Sequence, residues 1–174
     1  MSAAPTAKRR SRRTLRLGVI SDTHGLLRPE ALAALQGSDA IVHAGDVGKS
    51  EILDALATLA PVSAVRGNND HGAWADALPE SARVEIGGTT IFVVHDLATL
   101  AFDPRAAGID VVVSGHSHHP ACERRDGVLF VNPGSAGPRR FRLPVTVGRL
   151  EIAGRDVLAS ILPLDIAASR GKPS

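Results

Sequence analysis

The chain contains very little cysteine and very few aromatic residues. Its 174 residues include one cysteine, one tryptophan, four phenylalanines and no tyrosine. A lone cysteine, Cys122, rules out an internal disulfide framework and is compatible with a reducing cytoplasm, where we expect the protein to act. Cys122 itself fits the role of a small core residue on a strand. With so few aromatic rings, the chain lacks the stacking surfaces typical of single-strand nucleic-acid binders.

Long apolar runs are missing as well, because glycine, aspartate or arginine interrupts each of them. A membrane-spanning helix needs about 20 consecutive apolar residues, so the sequence predicts none. No apolar segment follows the basic N-terminus, which argues against a secretory signal. What the chain does have is a hydrophobic content of 44% over 174 residues, enough for one domain with a buried core.

The positive charge is concentrated at the N-terminus. Six of the 20 lysines and arginines lie within the first 16 positions, where there is no acidic residue, and the rest of the chain has a net charge of −4. We interpret residues 1–14 as a disordered basic leader, 15–165 as a single domain and 166–174 as a flexible tail. A basic run can also bind nucleic acid or an anionic membrane. Because no other feature of the sequence suggests nucleic acid or a membrane as a partner, we predict neither.

The N-terminal half alternates strand-like and helix-like segments. Their predicted order is strand 15–21, helix 29–35, strand 40–43, helix 50–59 and strand 62–65. The helices are indicated by proline near a helix start and by serine as a cap, and the strands by apolar runs. A βαβαβ order favours a parallel sheet with right-handed crossovers.

The C-terminal half has the pattern of β-hairpins. Gly87-Gly88, Asp126-Gly127 and the segment around Gly154 each separate two strand-like segments. The predicted strands span residues 83–86, 89–94, 111–114, 121–125, 128–131, 145–152 and 157–162. We therefore expect an α/β fold of two packed mixed sheets, with helices covering the parallel portion.

Seven side chains that can bind a metal ion follow these predicted strands. In chain order they are Asp22, His24, Asp46, Asn68, His95, His116 and His118. Ligands of open α/β sheets collect beyond the carboxyl ends of strands, so we expect these residues to meet at one edge. Most of them alone could serve a turn, a cap or a buried hydrogen bond. The pair His116 and His118 is the most specific, because packing does not explain it.

The motif order Asp-x-His, Gly-Asp, Gly-Asn-x-Asp, His and Gly-His-x-His resembles the calcineurin-like metallophosphoesterase family. The resemblance covers nearly the whole chain, from residue 15 to about residue 162. The compact length, the segment Asn132-Pro-Gly-Ser135 and Arg139 are similar to its small bacterial and archaeal phosphodiesterase branch, near which a eukaryotic retromer subunit also belongs. The resemblance implies a four-layer α/β/β/α sandwich of two mixed sheets flanked by helices, with the metals at its rim.

The resemblance also implies how the seven ligands share two metal ions. The first metal would be bound by Asp22, His24 and His118. The second would be bound by Asn68, His95 and His116, and Asp46 would bridge the two. Asp22, Asp46, Asn68 and His95 are the expected catalytic group. Histidine-rich sets favour Mn, Ni, Fe, Zn or Co over Mg or Ca. Manganese is our expectation, because the family commonly depends on it.

The charge of such a centre suits a phosphate ester. Two divalent ions bring about +4, and Asp22 and Asp46 reduce it to roughly +2. Ions about 3.5–4 Å apart can share a water whose pKa falls toward ~7. We therefore predict a phosphodiesterase that hydrolyses a small phosphate ester by attack of a hydroxide bridging both metals. The alternative is a non-catalytic protein-interaction scaffold of the same fold, against which the complete ligand set argues.

Two residues depart from the family pattern. Larger relatives have a histidine that can protonate the leaving group where this chain has Asn69, so we expect good leaving groups to be favoured. Related sequences usually have glycine where this chain has Asp96, which could adjust His95 or face solvent. Asn69, Ser135 and Arg139 are candidate substrate contacts, although the last two could equally form an ordinary loop. An exposed hairpin edge could support a homodimer.

Overall fold

The computed structural model of the protein describes residues 13–166. One sheet consists of β1 (Leu15–Ile20), β2 (Ala40–His43), β3 (Val62–Ala64), β9 (Thr146–Ala153) and β10 (Asp156–Pro163). The other consists of β4 (Ser81–Ile86), β5 (Thr89–Val94), β6 (Val111–Val113), β7 (Ala121–Arg125) and β8 (Val128–Asn132). The helices are α1 (Pro29–Leu35), α2 (Ser50–Ala57) and α3 (Ala73–Asp76), with a 3₁₀ helix at Leu97–Thr99.

Both sheets are mixed, as predicted. In the first sheet the order is β10-β9-β1-β2-β3, with β1, β2 and β3 parallel and with β9 and β10 antiparallel to their neighbours. In the second sheet the order is β4-β5-β6-β8-β7, with a parallel centre of β5, β6 and β8 and two antiparallel edges. The parallel strands of each sheet end at a common edge, and the polar segments follow them there.

The main core lies between the two sheets. Leu17 and Val19 of β1 point into it, together with Val111 and Val113 of β6. Ile20 points to the opposite face of the first sheet, where it packs with α1 and α2. This alternation follows from the two-residue period of a strand. The first sheet is therefore buried on both faces, which explains why its central strands are almost wholly apolar.

The outer face of the second sheet has a thinner cover. Val112 and Val128 pack there with Ile109 and Leu97, the latter from the 3₁₀ helix. Within residues 13–166, the fourth layer of the sandwich thus consists of this short helix and its neighbouring loop. None of the helices in this part of the chain is long and apolar enough to cross a bilayer.

Several sequence predictions need correction. Cys122 lies on a strand, as expected, but it is exposed rather than part of the core. The reason is that β7 is an edge strand whose five residues are all exposed. Helix α2 ends at Ala57, two residues earlier than predicted. Neither α3 nor the 3₁₀ helix was predicted, because each is too short to show a helical period.

The predicted leader and tail fall mainly on residues 1–12 and 167–174, which lie outside the described residues. Of the basic run, Arg13 is described, and its guanidinium lies 2.6 Å from a carboxylate oxygen of Asp39. That pair is an exposed contact, so it adds little stability.

Candidate metal centre

The strand ends bring all seven predicted ligands into one connected cluster. Asp22 and His24 follow β1, Asp46 follows β2 and Asn68 follows β3. His95 follows β5, and His116 and His118 follow β6. Backbone hydrogen bonds join these loops, since the N–H of Asp22 donates to Gly45 O at 3.0 Å and the N–H of Gly115 donates to His95 O at 2.9 Å. The carboxyl ends of parallel strands therefore build the site, as expected for this architecture.

Asp22, His24 and His118 form the first group of ligands. The Nε2 atoms of the two histidines lie 3.3 Å apart. Oδ1 of Asp22 lies 3.3 Å from Nε2 of His118 and 3.8 Å from Nε2 of His24. The other oxygen of Asp22 is already occupied, because Ser21 Oγ donates to it at 2.7 Å and His116 N at 3.2 Å. This arrangement aims one free carboxylate oxygen at two imidazole nitrogens.

His95, Asn68 and His116 form the second group. Oδ1 of Asn68 lies 3.0 Å from Nε2 of His95 and 3.1 Å from Nδ1 of His116. Nδ1 of His95 lies 2.7 Å from the carbonyl oxygen of Ala44, to which it can donate. That bond leaves Nε2 of His95 as the ring atom that faces the ligand group.

Asp46 lies between the two groups. Its Oδ2 is 3.7 Å from Nε2 of His24 and 3.4 Å from Nε2 of His95. Asn69 holds this carboxylate with two hydrogen bonds, from its backbone N–H to Oδ1 and from its side-chain amide to Oδ2, each 2.8 Å long. Gly67 packs directly on Asp46, and a Cβ there would come within 2.1 Å of its backbone nitrogen. Asp46 thus has the position that a bridging ligand requires.

Five of the seven candidate ligands have a left-handed backbone conformation. Positive φ angles between 45° and 67° occur at Asp22, His24, Asp46, His116 and His118. Residues other than glycine adopt this conformation uncommonly, and it costs on the order of 1–3 kcal/mol. Such strain persists where the surrounding structure enforces it, typically at functional sites. Its concentration here indicates that the loops are built to aim these side chains.

Burial dominates the protonation of the first group. It raises the pKa of Asp22 to about 6, despite the hydrogen bond from Ser21. It lowers the pKa of His118 to about 4, and the positive charges of Arg140 and His24 add to this shift. The pKa of His24 is lowered as well, mainly by burial. Neutral imidazoles are the form that binds metal ions.

In the second group and at Asp46, polar contacts outweigh burial in setting the pKa values. Burial alone would lower the pKa of His95, but its contacts with Asp46 and Ala44 outweigh burial and raise it. Burial would likewise raise the pKa of Asp46, but hydrogen bonds from His95 and Asn69 hold it below its ordinary value. Nε2 of His95 therefore faces two oxygen atoms and needs a proton or another cation between them.

The cluster fits divalent metal ions. Two sets of three side chains have ligand atoms within 4.8 Å of one another: Asp22 with His24 and His118, and Asp22 with Asp46 and His95. Oδ1 of Asp22 is buried and has no hydrogen-bond partner, an arrangement that is costly without a cation. Mixed imidazole and carboxylate ligands suit borderline transition metals. Asn68 and His116 extend the second set by one oxygen and one nitrogen.

Two residues behind the ligands hold the loops in place. Asp70 accepts hydrogen bonds from the N–H groups of Val47, Gly48 and Gly67, at 3.2, 2.8 and 2.8 Å. It ties the Asp46 loop to the Asn68 loop, in the holding role that its place in the motif suggests. His43 is fully buried, and its Nε2 lies 2.9 Å from the hydroxyl of Thr23.

The candidate substrate contacts are placed differently from one another. Asn69 lies at the centre, where it binds Asp46. Ser135 is buried, and its hydroxyl donates to the carbonyl oxygen of Asp22 at 2.9 Å, so it supports the Asp22 loop from behind. Arg139 is exposed. Its neighbour Arg140, which the sequence analysis did not single out, is the arginine whose charge reaches His24 and His118.

A groove of about 360 Å³ opens beside the second group. Asn68, His95 and His116 form its inner wall, and Arg66, Glu80 and Thr99 contribute to its rim. A volume of this size accommodates a small ligand. The candidate metal-binding atoms are therefore accessible from solvent on this side.

The fold is an α/β sandwich of two mixed sheets, and it has a candidate metal site at one sheet edge. Comparison with known proteins gives a concordant result. A family model described as the calcineurin-like phosphoesterase superfamily domain matches residues 15–155. A probable metallophosphoesterase of Methanocaldococcus jannaschii is 35% identical over 166 residues, covering 87% of this chain and 83% of its own length. The chain belongs to the calcineurin-like phosphoesterase superfamily.

Two solved structures show the same fold. The structure of an archaeal phosphodiesterase has a TM-score of 0.71 and 25% identity, and the match covers 85% of this chain and 100% of that one. The structure of vacuolar protein sorting 29 from Cryptosporidium parvum has a TM-score of 0.75 and 21% identity, with coverage of 88% and 93%. The predicted sandwich of two mixed sheets is confirmed, and the relatives support a hydrolase that acts on phosphate esters with divalent metals.

Proposed function

We propose that the protein is a dinuclear phosphodiesterase that hydrolyses a small phosphate ester. The observation that carries the proposal is the convergence of seven donor side chains, with Oδ2 of Asp46 within 3.7 Å of His24 Nε2 and 3.4 Å of His95 Nε2. One ion would be held by Asp22, His24 and His118, the other by Asn68, His95 and His116, with Asp46 shared. The mixture of imidazole, carboxylate and amide ligands suits a borderline divalent ion, and manganese is the one we propose because the family commonly depends on it.

Bound cations would supply charge to the phosphate and a water of lowered pKa. The chain's own residues prepare the site for them. Asn69 fixes both oxygens of Asp46, and Ser21 and His116 N–H fix one oxygen of Asp22, so neither carboxylate must reorganise. Such preorganisation of charged groups is a large part of catalysis in polar active sites.

Arg140 is the basic residue we propose as a phosphate contact. Its charge acts on His24 and His118. Three residues before it in sequence, Gly137 packs on the Asp22 loop, where a Cβ would lie 2.6 Å from Asp22 O. A guanidinium beside a metal centre can bind a phosphate oxygen that the metals do not. Action in the cytoplasm and assembly into a homodimer remain predictions.

Metal analysis of the purified protein and a panel of phosphodiesters with added Mn²⁺ test this function. We expect two ions per chain and Mn-dependent hydrolysis. Asp46→Asn should lower kcat/KM by more than about 100-fold, beyond what an outer partner of a metal costs. Asp54→Asn, at an exposed position on α2, is the matched control and should leave kcat/KM close to the wild-type value. A folded wild-type protein that binds no metal and hydrolyses no diester would instead favour the scaffold.

A further inference from the structure

Asp96 lies beside His116, on the side of the ring that faces away from the ligand cluster. Nδ1 of His116 is 3.1 Å from Asn68 Oδ1, among the second group of ligands. Nε2 of the same ring is 3.9 Å from Oδ2 of Asp96. The two ring nitrogens thus face different groups, one inside the cluster and one outside it.

The Asp96 carboxylate is held in this position by the start of the 3₁₀ helix. Its Oδ1 accepts a hydrogen bond from the N–H of Ala98 at 2.9 Å. Its backbone carbonyl accepts one from the hydroxyl of Thr99 at 2.7 Å. Because Oδ1 is occupied, Oδ2 is the oxygen left to face His116.

His116 has particular need of such a partner. Its side chain is 46% exposed, compared with 5% for His95. A buried backbone carbonyl, Ala44 O, orients the ring of His95, whereas the more exposed ring of His116 lines the groove. A metal-binding histidine is normally oriented by a carboxylate or carbonyl on its other nitrogen, which fixes the tautomer.

We propose that Asp96 is a positioning residue for the second metal ion, acting through His116. With its negative charge 3.9 Å from Nε2, it favours the tautomer that carries the proton on Nε2. That tautomer leaves the Nδ1 lone pair, on the side of Asn68, free to bind the ion. The inference rests on the proposed two-metal function. The effect is confined to the second ion, since His24 and His118 belong to the other group of ligands.

Two measurements on metal-free protein test the proposal. Calorimetric titration with Mn²⁺ gives the affinity of each site, and electron paramagnetic resonance follows the spin coupling between the two ions. In Asp96→Asn, Oδ1 still caps Ala98 N, but the amide presents a donor to His116 Nε2. We expect the second Mn²⁺ to bind about 10- to 100-fold more weakly and the first to bind as in wild type. Asp96→Ser, which keeps a short capping oxygen and no carboxylate, should show the same selective loss.

Asp103→Asn is the matched control, because Asp103 also caps a turn, through Oδ1 to Arg105 N at 2.9 Å, in a loop that contains no ligand. It should leave both affinities unchanged. In a His116→Ala background, Asp96→Asn should weaken the second site no further, since its route is already lost. Unchanged second-site affinity, equal weakening of both sites, or full additivity with His116→Ala would overturn the inference. Fewer than two ions on wild type would refute the two-metal function itself.

Discussion

At the scale of single residues, we predict that Asn69 determines which leaving groups the protein can release. Its backbone N–H and its side-chain amide each donate a hydrogen bond to Asp46, at 2.8 Å. An amide cannot transfer a proton to a departing alkoxide, whereas a histidine at this position could. A positioned general acid is worth about 10²–10⁴-fold in rate, so its absence should matter most for poor leaving groups.

We therefore predict that the protein hydrolyses nitrophenyl diesters much faster than alkyl diesters. Asn69→His should reduce the ratio of the two kcat/KM values by at least about tenfold, because it introduces an acid. The measurement is a series of diesters of graded leaving-group pKa. Asn69→Ala is the control, since it loses the amide bond to Asp46 and should slow both substrates alike. Equal wild-type rates on both substrate types would contradict this assignment.

Arg139 and Arg140 offer a second test at residue scale. Both are exposed, but only Arg140 is among the charges that shift His24 and His118. We expect Arg140→Ala to raise KM for a diester by about tenfold, the equivalent of one charge-assisted hydrogen bond of roughly 1.5 kcal/mol. Arg139→Ala is the matched control and should leave KM near the wild-type value. Steady-state kinetics in low salt would measure both KM values. A larger increase in KM for Arg139→Ala than for Arg140→Ala would instead identify Arg139 as the phosphate contact.

At the scale of elements, the junction between a strand and its following loop positions each candidate ligand. Gly45, after β2, has φ +95°, and a Cβ there would lie 2.6 Å from Nδ1 of His95. A side chain at this position would therefore add steric conflict with a ligand to backbone strain. Gly88 in the β4–β5 turn has a similar φ of +86° but open space around it.

This pair predicts two separable effects. Gly88→Ala should cost about 1–2 kcal/mol of stability, the cost of a left-handed alanine, and leave activity intact. Gly45→Ala should cost more than that and also weaken metal binding, since His95 must move. Denaturant unfolding and Mn²⁺ titration of both variants measure this. If Gly45→Ala retained wild-type metal affinity, the close approach to His95 would not position the ligand.

The sequence predicts helices and strands where a segment is long enough to show a regular pattern of apolar residues. The three parallel strands and three hairpins are confirmed, because buried apolar runs and glycine turns mark them locally. The exposure of Cys122 was not predictable, since it depends on β7 being the last strand of its sheet. Helix α3 also escaped prediction; Trp74 packs against the core that the helices form with the first sheet, a contact that four residues of sequence do not reveal.

Some features of the candidate site could likewise be predicted from the sequence, and others could not. The candidate ligands could be predicted because each follows a strand and has a side chain that can bind a metal ion. The inward turn of the Ser135 hydroxyl toward Asp22 depends on a contact between residues 113 positions apart. The proximity of Asp96 to His116 joins two different loops. Such long-range contacts are set by how the two sheets stack, which no local pattern specifies.

At the scale of the whole molecule, a buried histidine links the site to stability. His43 is fully buried on β2. Gly45 N donates to its Nδ1 at 3.2 Å, so Nε2 carries the proton and can donate to Thr23 Oγ1, which in turn donates to Val47 O at 2.9 Å. The neutral ring therefore ties the loops after β1 and β2 together, and protonation of Nδ1 would break this network.

Burial lowers the pKa of His43 from 6.5 to about 4, so folding stability should depend on pH. Between about pH 6.5 and 4 the unfolded chain binds a proton at His43 and the folded chain does not, which destabilises the fold as pH falls, by on the order of 3 kcal/mol. Asp22 acts in the opposite direction, since its pKa is raised to about 6 and its protonation favours the folded state. The difference between wild type and a His43 variant isolates the histidine.

We predict that His43→Gln is less stable than wild type at pH 8 but loses less further stability down to pH 4. The measurement is urea unfolding of metal-free protein at several pH values, with chelator present so that proton binding at the ligands is not masked. His71→Gln, which replaces an exposed histidine, should follow the wild-type curve. Parallel curves for wild type and His43→Gln would mean that His43 is not the group that resists protonation. The fall in stability with acid would then have to arise elsewhere, and the tie between the β1 and β2 loops would have no part in it.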